Sequence, residues 1–196
     1  MQKLHRIISR GTINWVLIYM FDLSRVQKYA EGLYKENAFL CHGAAICVGG
    51  KAYIFFAPSG TGKTTHTKFW ADIYKDDFAV INDDKPIVTV GGKVPAEIIV
   101  SSSPICGKEG LMNKNLKAPL AAICIVKRGA ANEIKKVSAS EKLSEILNQI
   151  YRPESAEGLT RTYELINTVF SKIDLYELHC LPNKEAAVLA HDAMVR

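Results

Sequence analysis

Tyr53 to Thr65 reads YIFFAPSGTGKTT, and no other stretch limits the fold of this chain as tightly. An apolar run with strand character passes into a turn carrying two glycines, and Lys-Thr-Thr then opens a helix. That succession builds a cradle for phosphate. Backbone N–H groups from Ser59 through Thr64 can point inward at a polyphosphate, and the helix N-terminus adds partial positive charge. Lys63 supplies a full charge near the β and γ phosphates, and Thr64 places a hydroxyl where Mg²⁺ would sit. The phosphate-loop pattern opens on Gly, where this chain has Ala57, and alanine serves if it keeps a negative φ. Gly60 and Gly62 stand where the backbone must approach the phosphate closely. Ser59, Gly60, Thr61, Gly62, Lys63, Thr64 and Thr65 are therefore the expected nucleotide-binding residues. An ordinary strand–turn–helix connection with a chance Gly-Lys-Thr would not explain why motif and context agree.

A second signal follows about twenty residues beyond Lys63, in AVINDD, Ala79 to Asp84. Ala79, Val80 and Ile81 read as a short buried parallel strand. Asp83 and Asp84 come at its carboxyl end, the end that faces the ligand crevice in open α/β sheets. One carboxylate can hold Mg²⁺, directly or through water. The other can take the proton from an attacking hydroxyl. A pair of solvated turn acids before Pro86 is the bland alternative, and the preceding phosphate loop counts against it.

The 196 residues suit one domain with a sizeable core, and 48% hydrophobic with 23% charged residues is ordinary for a soluble globular chain. The net charge of +5 is spread along the sequence with no run of four basic residues, so nucleic-acid binding is not indicated. A site for a nucleoside triphosphate and a second anionic substrate explains the surplus as well. Five cysteines lie far apart without a C-x-x-C pair, which speaks against zinc. Cys47 and Cys124 fall in apolar runs and read as reduced core residues, and the odd count points to the cytoplasm. Ile13 to Phe21, apolar after a basic start, is too short to span a membrane and no small-residue cleavage site follows, so it reads as a buried strand.

Along the chain, Ser24 to Tyr34 carries a helical apolar stripe. His42–Val48 and Lys51–Phe56 flank Gly49-Gly50 as a β-hairpin whose second strand feeds the phosphate loop. Thr64 to Tyr74 is the following helix. Pro86–Val90 and Lys93–Ile98 flank Gly91-Gly92 as a second hairpin, and Ser101 to Ala118 is a long loop of the kind that carries function. Leu120 to Val126 is the clearest buried strand, ending at Lys127-Arg128. Ser140–Ile150 and Leu159–Phe170 read as helices, Asp174–Leu178 as a strand and Asn183–Met194 as a closing helix. The expected fold is a single α/β domain over residues 1–196, with a mixed β-sheet flanked by helices.

His42-Gly43, the Gly-Gly hairpin, SGTGKTT and Asp83-Asp84 occur in the order found in the catalytic domain of HPr kinase/phosphorylase, which this chain resembles over roughly Cys41 to Pro86. SGTGKTT with a double aspartate is also similar to the nucleotide site of ATP-dependent phosphoenolpyruvate carboxykinase, although the chain is too short for that activity. The resemblance implies the phosphate-loop nucleotide-binding fold those families share, with ATP and Mg²⁺ as cofactors. It implies that Lys63 binds the β and γ phosphates, that Thr64 and Asp84 hold Mg²⁺, that Asp83 activates the acceptor hydroxyl, and that His42 contacts the γ-phosphate. The family's Glu-x-Arg-Gly loop is absent, which removes the basis for HPr itself as substrate. The implied activity is phosphoryl transfer to an unidentified hydroxyl on a small molecule, peptide or protein, free serine included. The alternative is an ATP-binding module without chemistry, or a simple NTPase, supporting a partner enzyme in peptide maturation. Relatives often form rings, so a homo-oligomer accords with the resemblance. Gly107, Lys108 and Glu109 are candidates to clamp substrate, and Arg128 to stabilise transferring charge, although each also reads as a solvated surface group.

Overall fold

The computed structural model describes residues 24–92 and 95–195. The strand expected over Ile13–Phe21 lies outside the described residues, as do Lys93 and Val94 of the second hairpin. The chain is mixed α/β: a mixed sheet flanked by helices. Its strands are β1 (Ala38–Cys41), β2 (Gly43–Val48), β3 (Lys51–Phe56), β4 (Phe78–Asn82), β5 (Pro86–Val90), β6 (Ile98–Ser102), β7 (Lys117–Arg128), β8 (Glu133–Val137), β9 (Ile150–Tyr151) and β10 (Asp174–Cys180). The helices are α1 (24–33), α2 (Lys63–Tyr74), α3 (Leu143–Leu147), α4 (Ala156–Phe170) and α5 (Lys184–Met194).

Strand β7 organises the sheet. Its first residues pair antiparallel with β6, which continues through β5 and β1 to β9. Its later residues pair parallel with β3 on one side and β10 on the other. Antiparallel β2 and β4 extend the β3 edge, and antiparallel β8 extends the β10 edge. Alternation along β3 shows why both faces are filled. Ala52, Ile54 and Phe56 join a core shared with Phe39, Val88 and Val100 of the β6–β5–β1 limb and with Leu165, Ile166 and Val169 of α4. Tyr53 and Phe55 turn the other way, onto Trp70 of α2 and onto Ala187, Ala190 and Met194 of α5. A strand buried on both faces needs the near-continuous apolar sequence found here. A third cluster seats Val26, Ala30 and Leu33 of α1 on Leu40 and Ile87.

Three expectations change. Ala79–Ile81 is a strand, but it pairs antiparallel with β2 at the sheet edge, because the hairpin strand inserts between it and β3. It still runs in the same direction as β3, so Asp83 and Asp84 emerge at the edge where the loop after β3 begins. The helix expected over Ser140–Ile150 shrinks to Leu143–Leu147: Gln149 N–H bonds Ile146 O in a tightened last turn, and Ile150 leaves to pair with Cys41. The second hairpin closes on Ile98–Ser102 rather than on Lys93–Ile98, with Gly91 N–H bonded to Glu97 O. Among the described residues no helix is long and apolar enough to cross a membrane.

Candidate functional site

The carboxyl ends of β3, β4, β7 and β10 and the start of β2 meet at one edge of the sheet. From β3 the chain enters the loop at Ala57, which is buried in the core and keeps ordinary backbone torsion: Asn37 and Lys75 are the described non-glycine residues with positive φ. Gly60 (φ 78°) and Gly62 (φ 116°) take the left-handed turns that a side chain would resist. Gly62 is the N-cap of α2, and no side chain caps that helix. By contrast, Ser155 caps α4 and Asn183 caps α5, each accepting an amide of the first turn. The amide donors at the head of α2 are therefore open to an anion, with the dipole behind them. Ser59 and Gly60 are exposed, Thr61, Gly62 and Thr64 half-buried, and Thr65 exposed.

Lys63 folds back over this loop. It is only 8% exposed, and Nζ donates to Ala57 O at 2.6 Å and to Pro58 O at 3.4 Å. Burial pulls its pKa down; the charge of Asp84 opposes that and the charge of Lys85 adds to it. A buried ammonium held by neutral carbonyls, with a carboxylate within electrostatic reach, is a site short of negative charge.

Asp84 stands between cations. Its Oδ1 lies 3.3 Å from His42 Nε2, and its Oδ2 lies 2.5 Å from Nζ of the buried Lys85. Burial alone would raise its pKa, but hydrogen bonds from His42 and Lys85 outweigh that and lower it to about 2. Gly43 N–H donates to Asp84 O at 2.9 Å, tying the pair to the first residue of β2. Asp83, one residue earlier, turns to the long loop. Its Oδ1 accepts Gly107 N–H at 2.7 Å and its Oδ2 accepts Leu111 N–H at 3.3 Å. Asp83 thus carries the segment that holds Lys108 and Glu109, and Glu109 meets Lys68 of α2 at 3.5 Å on the surface.

The structure brings Lys63, Asp84 and His42 together around the loop mouth, with Thr64 in the first turn beside them and Asp83 facing residues 107–111. Arg128 is at the same edge, where its guanidinium donates to Gly60 O at 2.6 Å. An open cleft of about 450 Å³ lies between Pro58–Thr61, the end of β7 and Glu145. Lys85, Asn82 and Gln149 complete the arrangement, and sequence reasoning passed over all three. Asn82 belongs to the same AVINDD stretch and was the most findable. Gln149 sits more than a hundred residues from His42 in the chain, and no motif points to it.

A magnesium ion here would draw only Thr64 and one aspartate from the protein, with phosphate oxygens and water completing its shell. That donor set fits the residues present: an ionised Asp84 and a hydroxyl in the first turn of α2. Among the described residues no group of three His, Cys, Asp or Glu side chains gathers to hold a metal alone.

No known protein-family profile matches the sequence, and no curated protein matches it. Among solved structures the chain is similar to the Hpr(Ser) kinase/phosphatase from Coxiella burnetii, at 8% sequence identity and a TM-score of 0.41, over 80% of this chain and 93% of that one. A likeness that distant is silent on chemistry.

Proposed function

We propose that this chain binds ATP with Mg²⁺ on the loop from Ala57 to Thr64 and transfers the γ-phosphoryl group to a hydroxyl on a small molecule, peptide or protein. The observation that carries this reading is the buried Lys63 ammonium, set under an uncapped helix start and within reach of Asp84. Such an arrangement lacks only a polyanion. Phosphoryl transfer asks little covalent chemistry of a protein and mostly needs charge placed around the moving group. In this reading the amides of Gly60 and of Gly62 to Thr64 cradle the phosphates, with Thr61 N–H kept by Pro58 O at 3.3 Å, and Lys63 exchanges its carbonyl partners for the β and γ oxygens. When bound, Mg²⁺ neutralises charge on those oxygens. Thr64 and Asp84 would hold it, with His42 and Lys85 keeping Asp84 ionised and aimed.

Asp83 is the proposed proton acceptor. Each of its oxygens retains a lone pair beyond the loop amide it already accepts. The acceptor hydroxyl would arrive on the side of residues 107–111, form a bond from its oxygen to the γ-phosphorus and give its proton to Asp83, while ADP leaves with the bridging oxygen. Lys68 and the exposed face of the 107–111 segment would meet the acceptor molecule.

Titration calorimetry and an acceptor screen with γ-labelled ATP test this. MgATP is expected to bind, label is expected to move to a hydroxyl compound such as free serine, and Lys63→Ala is expected to cut turnover by about 100-fold or more. Absence of MgATP uptake would end the reading. Label released only as free phosphate would make the chain a hydrolase, and binding with no chemistry would make it a nucleotide-holding module.

A further inference from the structure

We infer that Gln149 is a positioning residue that fixes the tautomer of His42, so that Nε2 carries the proton and points it at Asp84. The side chain of Gln149 is buried. One orientation of its amide satisfies the surroundings: the nitrogen lies 3.0 Å from His42 O and 3.2 Å from Ala57 O. Turned the other way, the amide oxygen would face two carbonyl oxygens with no proton between them. Two backbone acceptors thus set the amide before the imidazole is considered.

The same nitrogen lies 3.1 Å from His42 Nδ1. An amide nitrogen carries two donors and accepts nothing, so a proton on Nδ1 would face it without an acceptor, and in the neutral ring the proton belongs on Nε2. The other end of the ring agrees independently. Nε2 is 3.3 Å from Oδ1 of a carboxylate, which can only accept. The backbone fastens the pair as well, since His42 N–H donates to Gln149 O at 2.7 Å. Gln149 therefore holds three things at once: the strand end where the phosphate loop starts, the backbone of His42 and the orientation of its ring. This also explains why the chain leaves α3 before Gln149, because a helical Gln149 would have its carbonyl directed along the helix and away from His42.

The tautomer assignment stands on hydrogen-bond geometry alone, whereas its bearing on turnover rests on the proposed phosphoryl transfer. Nitrogen-15 long-range correlation spectra of the imidazoles, at mildly alkaline pH, read the tautomer directly, with the His42 signals identified by their loss in His42→Gln. Wild type is expected to show His42 protonated at Nε2. Gln149→Glu sets a carboxylate beside Nδ1 opposite Asp84, and is expected to add a proton at Nδ1 while Nε2 keeps its own, and to lower turnover by about ten-fold or more, the scale at which outer partners of a charged site act. A wild-type His42 protonated at Nδ1 overturns the inference, and so does a Gln149→Glu protein in which Nδ1 stays unprotonated. If Gln149→Glu fails to fold, the wild-type spectrum still decides. MgATP calorimetry on the same sample separates the outcomes: loss of nucleotide binding would count against the phosphotransferase reading and leave the tautomer result standing.

Discussion

Asn82 shows how much of the site one uncharged side chain can hold. It is fully buried at the end of β4. Its amide nitrogen donates to Ser102 Oγ (3.0 Å) and Ile105 O (2.9 Å), and its oxygen accepts the backbone N–H of Asp84 (2.9 Å) and of Lys85 (2.6 Å). The turn that presents both aspartates is therefore pinned from inside, and the same residue anchors the start of the long loop. Asn82→Ala would leave the backbone amide donors of Asp84 and Lys85 without partners, while Ile105 O keeps the Ser103 hydroxyl at 3.0 Å. Each such orphan costs about 1–3 kcal/mol, so a loss of about 3 kcal/mol in urea unfolding is expected, with faster hydrogen exchange at Gly107 and Leu111. A loss under about 1 kcal/mol would show that the turn holds its shape without this side chain. Gly43 shapes the same corner by its smallness: a Cβ there would come within 2.9 Å of Phe55 O, so the residue following His42 must lie flat against the hairpin.

Among the elements, β10 carries the boldest charge. Glu177 is 3% exposed, yet it is an acid inside a strand. Lys127 of β7 reaches it at 2.7 Å, Lys135 of β8 at 3.3 Å and His179 at 3.3 Å, and Lys142 just before α3 also bonds it. Burial alone would raise its pKa, but hydrogen bonds from Lys127, Lys142 and His179 outweigh that and hold it well below the usual carboxylate range. A depressed folded pKa means stability that is complete above the unfolded value, about 4.3, and is lost as pH falls through the folded value. Glu177→Gln is expected to cost about 3 kcal/mol near neutral pH, because Lys142 and Lys127 lose a buried partner, although both keep the more exposed Glu145, at 3.3 and 2.9 Å. The gap to wild type should close progressively below about pH 5 in denaturant titrations. A gap that stays constant down to acid pH would contradict the charge-based account. Legibility in the sequence divides along similar lines. The β2–β3 hairpin, the loop, α2, β7, α4 and α5 announce themselves through glycine pairs, apolar runs and helical stripes. By contrast, β8 is Glu-Ile-Lys-Lys-Val, an edge strand with little apolar content, and β1 is only four residues, so neither has a period to read. The candidate lysine Lys63, buried at the loop mouth, was legible from spacing. Most partners of Asp83 and Asp84 were not, because residues 42, 107 and 111 reach them only through tertiary folding, whereas Lys85 is the next residue in the chain.

At the scale of the whole molecule, β7 makes the loop and the core interdependent. It pairs with β6 through its first residues and with β3 and β10 through the rest, so the limb bearing α1 and α4 and the limb bearing α2 and α5 share one strand. Arg128 at its end bonds the loop at Gly60 O, and Lys63 bonds it at Ala57 O. A ligand that fills the loop mouth therefore acts on a structure whose two limbs unfold together, and its binding energy should appear in the global melt. By mass action a ligand at 100 times its Kd adds about 2.7 kcal/mol. For a chain of this size each kcal/mol raises Tm by about 2–4 °C, so saturating MgATP should raise it by about 5–10 °C. In the proposed reading Lys63→Ala removes the cation that the phosphates need, and it should abolish that rise while leaving the ligand-free Tm nearly unchanged or higher, since a buried charge with carbonyl partners alone contributes little to stability. The contrast is informative in both directions. If MgATP shifts wild type and Lys63→Ala equally, the nucleotide sits elsewhere. If Lys63→Ala melts far below wild type without ligand, Lys63 is a structural pin for Ala57 and Pro58, and the buried ammonium ceases to argue for a polyphosphate.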